Sequence, residues 1–162
     1  MNAYEMMLVE YSDELIVDDA SVLPSSVKGF YAAEDKGNIV LLNKDLKTVN
    51  ERVCILAEEV GHHFTTVGDI TDLSKTVNRK QEEKARRWAV RRIASLKDII
   101  SAFEAGCRTK EELTDHLNIT EEFLLWSIDY YKKKYELMTV VDKQYIVCFE
   151  PFGIVKLFKE VD

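Results

Sequence analysis

No stretch of this chain approaches the roughly 18 to 20 consecutive apolar residues that a membrane-spanning helix needs. Its longest apolar runs, such as Val53-Cys54-Ile55-Leu56-Ala57, stop far short. The opening residues, Met1-Asn2-Ala3-Tyr4-Glu5-Met6-Met7, lack the basic flank and apolar core of a secretory signal. These absences predict a cytoplasmic protein without a membrane partner. Cysteine is scarce: three residues, Cys54, Cys107 and Cys148, widely separated and never in a C-x-x-C pair. Reduced thiols acting as small hydrophobic residues are the expectation. Net positive charge is missing too, since the formal charge is -7. A surface that grips nucleic acid needs a concentrated positive field, so a nucleic-acid partner is not expected. Internal repeats and low-complexity tracts are also absent.

What is present is enough for one compact core: 162 residues, of which 46% are apolar and 10% aromatic. Met6, Met7, Leu8 and Tyr11 suit a short opening helix over 4–13, and Leu15-Ile16-Val17 reads as a strand that exits through Asp18 to Ser21. The segments 29–33 and 38–43, separated by Glu34-Asp35-Lys36-Gly37, predict a β-hairpin in a small antiparallel sheet. From Thr48 the apolar period becomes helical, with Val49, Val53, Leu56, Ala57 and Val60 in register, Thr48 as N-cap and Glu51 three residues on. That helix ends near Thr65. A loop with Gly68, Asp69 and Asp72 leads to a second long helix from about Asn78 to Ala105, broken near Ser95, with the apolar stripe Ala85, Trp88, Ala89 and Ile93.

Gly106 closes that helix, and helices over 109–117 and 120–135 follow, separated by Leu117-Asn118-Ile119. This is the outline of a helix-turn-helix. Its second helix begins Thr120-Glu121-Glu122-Phe123-Leu124, acidic and apolar where a DNA reader is basic, which favours protein packing. The segments 145–149 and 154–158, joined by Glu150-Pro151-Phe152-Gly153, predict a terminal hairpin. The expected division is 1–105 and 106–162, packed as one unit.

The chemistry concentrates at Glu58-Glu59-Val60-Gly61-His62-His63. A zinc-peptidase helix commonly carries H-E-x-x-H, whose two imidazoles four residues apart bind one ion. Glu58 stands at the first imidazole position, Glu59 at that of the catalytic carboxylate and His62 at the second imidazole. At about 100° per residue, positions 58 and 62 lie only about 40° apart around the axis, so both side chains can converge on a cation. His63, four residues after Glu59, leaves an alternative Glu59 and His63 ligand pair open and is otherwise a supporting or substrate-facing group. The residues alone also allow His62 to be a partly buried histidine capped by Glu58. On the second long helix Glu82 shares a face with the core residue Ala85, where a carboxylate needs a partner. Arg79, Lys80, Lys84, Arg86, Arg87, Arg91 and Arg92 make its other face basic, and a solvated face with pairs to Glu82 and Glu83 is the simplest reading.

Two motifs in order, Glu58-Glu59-Val60-Gly61-His62 and Glu82-Glu83-Lys84-Ala85-Arg86-Arg87-Trp88-Ala89, resemble the H-E-L-G-H and E-x-x-A-[ND]-x-[FW]-A segments of the ImmA/IrrE metallopeptidases. The hairpin ending in Asn43, the Cys54-Ile55-Leu56-Ala57 lead-in and Thr65-Thr66 are similar to phage-type members, and the likeness spans roughly residues 4–135. The resemblance implies an α+β, zincin-like fold, metal ligation by His62 and Glu82 with Glu58 as third ligand, and Glu59 as general base. It also implies zinc as cofactor and, as protein substrate, a helix-turn-helix repressor of a phage or mobile element. Glu58 replaces the first His of the family and Arg86 its Asn or Asp. Two carboxylates on the ion would lower its Lewis acidity and favour a harder metal such as manganese.

Overall fold

The computed structural model describes the backbone of residues 1–65 and 75–158, and the side chains of all of these except 75–78. The expected loop with Gly68, Asp69 and Asp72 and the Thr66 position lie outside the described residues. The chain divides into two compact units, Met1–Arg92 and Ile93–Asp162, a division that falls ahead of the boundary read at residue 105.

The first unit holds α1 (Ala3–Glu10), β1 (Leu15–Ser21), β2 (Gly29–Glu34), β3 (Gly37–Asn43), α2 (Val49–Thr65) and most of α3 (Lys75–Ile93). β2 and β3 form the predicted hairpin, Glu34 pairing with Gly37 across a turn whose left-handed φ of 137° suits glycine. The sheet is mixed rather than antiparallel throughout, because β1 adds parallel to β3 in the order β1-β3-β2. β1 also runs through the expected exit to Ser21: Asp18 pairs with Leu41 and Ser21 with Asn43, while Asp19 accepts a hydrogen bond from the Tyr4 hydroxyl at 2.9 Å. Hydrophobic alternation identifies a strand but not its neighbour, so the parallel pairing was not legible.

Helix α2 packs on β2 and β3, whose buried residues include Tyr31, Val40 and Leu42; of the predicted stripe it buries Val53, Leu56, Ala57 and Val60, while Val49 at the first turn is exposed. The hydroxyl of Thr48 accepts the Glu51 N–H at 3.1 Å, which starts the helix where the sequence expected it. Buried Asn43 donates to the carbonyl of Val27 at 2.9 Å and accepts from the Asp45 N–H at 3.0 Å, tying the end of β3 to the preceding loop.

The second unit holds α4 (Leu96–Glu104), α5 (Lys110–Leu117), α6 (Glu121–Tyr135), β4 (Met138–Val141), β5 (Tyr145–Phe149) and β6 (Phe152–Lys156). The expected break near Ser95 is a capping box of Ser95 and Asp98, which opens α4 as a new helix. Thr109 and Thr120 cap α5 and α6, and Asn118 joins them in the left-handed conformation. The terminal sheet has the order β4-β5-β6, one strand more than predicted. β4 escaped because its turn uses Asp142 and Lys143 at positive φ, without the glycine that advertises such turns. β6 begins at Phe152, which pairs with Phe149, so the hairpin turn is tighter than the four residues expected. No disulfide joins the three cysteines; Cys54 is buried and the other two are partly exposed.

Candidate active site

Gly61 and Ala85 set the geometry of the site. A Cβ at Gly61 would lie 2.4 Å from the Ala85 carbonyl oxygen, so the backbones of α2 and α3 touch there and only glycine permits the approach. That contact brings the next residue on α2, His62, to the residue one turn back on α3, Glu82. His62 Nε2 lies 3.2 Å from Glu82 Oε1; the imidazole is 11% exposed and the carboxylate 63%, so Glu82 caps a buried ring from the solvent side. Glu58, a turn earlier on α2, directs Oε1 to the Nε of Arg86 at 3.4 Å. Glu59 faces the sheet. A Cβ at Gly29, the first residue of β2, would come within 2.9 Å of its Oε1, so this carboxylate is pressed against the strand.

Crowding four ionisable groups under partial burial shifts them in different directions. Burial pushes the Glu59 carboxyl up to about 7, with the carboxylates of Glu82 and Glu58 adding to the rise and His62 opposing it. Burial also raises Glu58, against the opposing charge of Arg86. For His62 burial favours the neutral ring, but the hydrogen bond to Glu82 and the surrounding carboxylates outweigh it and the net shift is upward. Glu82 is held below the usual carboxylate range, chiefly by the hydrogen bond from His62. The result is a pair in which Glu82 favours the protonated ring and the ring favours the ionised carboxylate, beside a Glu59 pushed up to about 7.

His63 belongs to a different set of contacts. Its Nε2 lies 3.1 Å from Glu14 Oε2 and its Nδ1 2.9 Å from the Tyr31 hydroxyl, which also donates to Asn38 at 3.2 Å. Both ring nitrogens therefore have partners. The ring packs edge-on against Phe64, which stacks on Trp88 at 5.3 Å. Glu14 and Tyr31 were not singled out from the sequence, because their only link to His63 is spatial.

The basic face of α3 is partly engaged. Arg86 pairs with Glu58, and Arg92 donates to the Tyr11 hydroxyl at 3.0 Å and pairs with Glu10. These partners lie outside α3, while the charge of Arg86 also acts on Glu82 within the helix, as the sequence reading expected. His116 is exposed on α5, as expected of a surface residue.

A divalent cation is the group the resemblance implies, and the donor chemistry suits one: an imidazole and two carboxylates, two of which already meet at a point. The arrangement is incomplete. Among the described residues no three His, Cys, Asp or Glu side chains are gathered to hold an ion, because Glu58 is turned to Arg86 rather than to the meeting point of His62 and Glu82. His62 and Glu82 would hold the cation, and Glu58 would complete the set on leaving Arg86.

No curated protein matches the chain significantly. Residues 17–128, more than half of the sequence and both motifs, match the family model described as the IrrE N-terminal-like domain, a peptidase family. The matched span includes the helices that meet at Gly61 and Ala85, and the chain belongs to the IrrE N-terminal-like family of metallopeptidases.

Proposed function

We propose that the protein is a metal-dependent endopeptidase making a limited cut in a helix-turn-helix repressor of a phage or mobile element. The observation that carries this reading is the meeting of His62 and Glu82 at 3.2 Å beside a half-buried Glu59 whose carboxyl is pushed up to about 7. A cation bound there, zinc or manganese, supplies Lewis acidity toward the scissile carbonyl and toward water. Glu59 takes a proton from the attacking water and passes it to the leaving amine, a role suited to a carboxyl that titrates near the working pH. The fold holds this base against β2, where Gly29 leaves room for it. His62, Glu82 and Glu58 hold the cation, while His63, fastened to Glu14 and Tyr31, stiffens the end of α2. The repressor as substrate follows from the family resemblance.

The test is incubation of the full chain, supplied with zinc or manganese, with a purified helix-turn-helix repressor, read by mass spectrometry. One discrete cut is expected. Glu59→Gln should lower the rate by about 100- to 10,000-fold, the usual worth of a positioned general base, while zinc still binds. A second reading, a protein that binds the repressor without cutting it, is favoured by the pairing of Glu58 with Arg86. Co-elution of intact repressor with the metal-supplied wild type would select it.

A further inference from the structure

Glu58 and Arg86, two positions at which the chain departs in charge from the motifs it resembles, sit on different helices and carry opposite charges. They meet each other, Arg86 Nε lying 3.4 Å from Glu58 Oε1. Glu58 is only 20% exposed, a setting in which a carboxylate requires a cation or a donor, and the guanidinium is both. A divalent ion at His62 and Glu82 would draw on the same carboxylate and would be repelled by the same guanidinium, whose charge also reaches Glu82. We propose that Arg86 is an internal counter-cation that competes with the divalent ion for Glu58, so that loading the site requires the guanidinium to release that carboxylate. His62 and Glu82 are the standing half of the site and Glu58 is the conditional half. The proposal rests on the metal-dependent reading above and adds a control on it: cation affinity is held down by a residue of the protein itself. The two departures act as one exchange, a neutral ligand for a charged one together with the charge that balances it.

Zinc affinity, measured on the full chain by competition with a chromophoric chelator, tests this directly. Arg86→Asn, which restores a residue usual in the family, should bind zinc at least tenfold more tightly than wild type, and Arg86→Gln should behave alike. In the Arg86→Asn background, Glu58→Gln should cancel the gain. Unchanged or weaker affinity in both Arg86 variants overturns the competition. A measurement on the wild type needs no substitution: the Arg86 Nε–H resonance should shift as zinc is added, and a resonance unmoved at saturating zinc is equally fatal. The underlying reading fails separately, if His62→Ala and Glu82→Ala bind zinc as wild type does.

Discussion

Glu59 in the first unit and Glu112 in the second are both helix glutamates, and folding moves them in opposite directions. Glu112 is fully exposed at the start of α5, where the backbone N–H groups of Arg108 and Thr109 donate to it at 2.6 and 3.2 Å and hold its pKa down. Glu59 is enclosed by α2 and β2, and burial raises it to about 7. The contrast extends beyond the pair. In the second unit, Glu104 is held by Tyr145 at 2.6 Å and Lys156 at 3.2 Å on the open surface, and buried polar groups are satisfied by backbone: Ser127 donates to Phe123 and Tyr131 to Ala94, each at 2.8 Å. In the first unit Glu58, Glu59, His62 and Glu82 are shifted by burial and by one another's charges, with Arg86 acting on Glu58 and Glu82 as well. A carboxylate given donors is held ionised, and one denied solvent is driven toward its protonated form.

The sharpest way to break this comparison is to remove the charge of Glu59 and follow stability with pH in metal-free protein. Its folded pKa lies above the ordinary 4.5, so the fold prefers the protonated form. Below about pH 4 the wild type and Glu59→Gln should be equally stable. As pH rises through 7 the wild type loses stability that the variant keeps, a gap of up to about 3 kcal/mol by pH 8, since each tenfold change in proton affinity is worth roughly 1.4 kcal/mol. Parallel denaturation curves from pH 4 to 8 would refute the enclosed carboxylate.

Next in size is the helix contact. Gly61→Ala drives a methyl group into the Ala85 carbonyl and should cost about 2 to 3 kcal/mol in urea denaturation, with weakened zinc binding. Its counterpart in the second unit, Gly153→Ala, meets nothing within 4 Å and should change stability by less than about 0.5 kcal/mol. Equal effects would show that the close approach of α2 and α3 is not what positions the site. The smallest definite effect belongs to the caps: Thr109→Ala removes the acceptor for the Glu112 N–H and should cost about 1 kcal/mol, with no influence on metal affinity.

Much of this was legible beforehand. The Thr48 cap, the extents of α5 and α6, the break at Ser95, the hairpin around Asp35-Lys36 and the buried face of α2 all rest on spacing within one segment. The site motifs were equally visible, since Glu58, Glu59 and His62 share a helix and Glu82 opens the second motif. What stayed hidden joins segments distant in sequence: β1 beside β3, Tyr31 and Glu14 at His63, and Arg92 at Tyr11. The Glu58 and Arg86 pair had a trace in the sequence, two departures of opposite sign in successive motifs, but a trace without a distance.

Periodicity and capping chemistry alone determined where α2, α4, α5 and α6 begin, which faces are apolar and which ionisable residue types are at hand, because those depend on neighbours within a turn or two. Which donors share a point was decided only when Gly61 met Ala85 and locked the rotation of one helix against the other. Helical spacing places a side chain around its own axis and says nothing of that second angle. Burial, which carries Glu59 to neutrality and binds Glu58 to a guanidinium, exists only once the segments have closed around them.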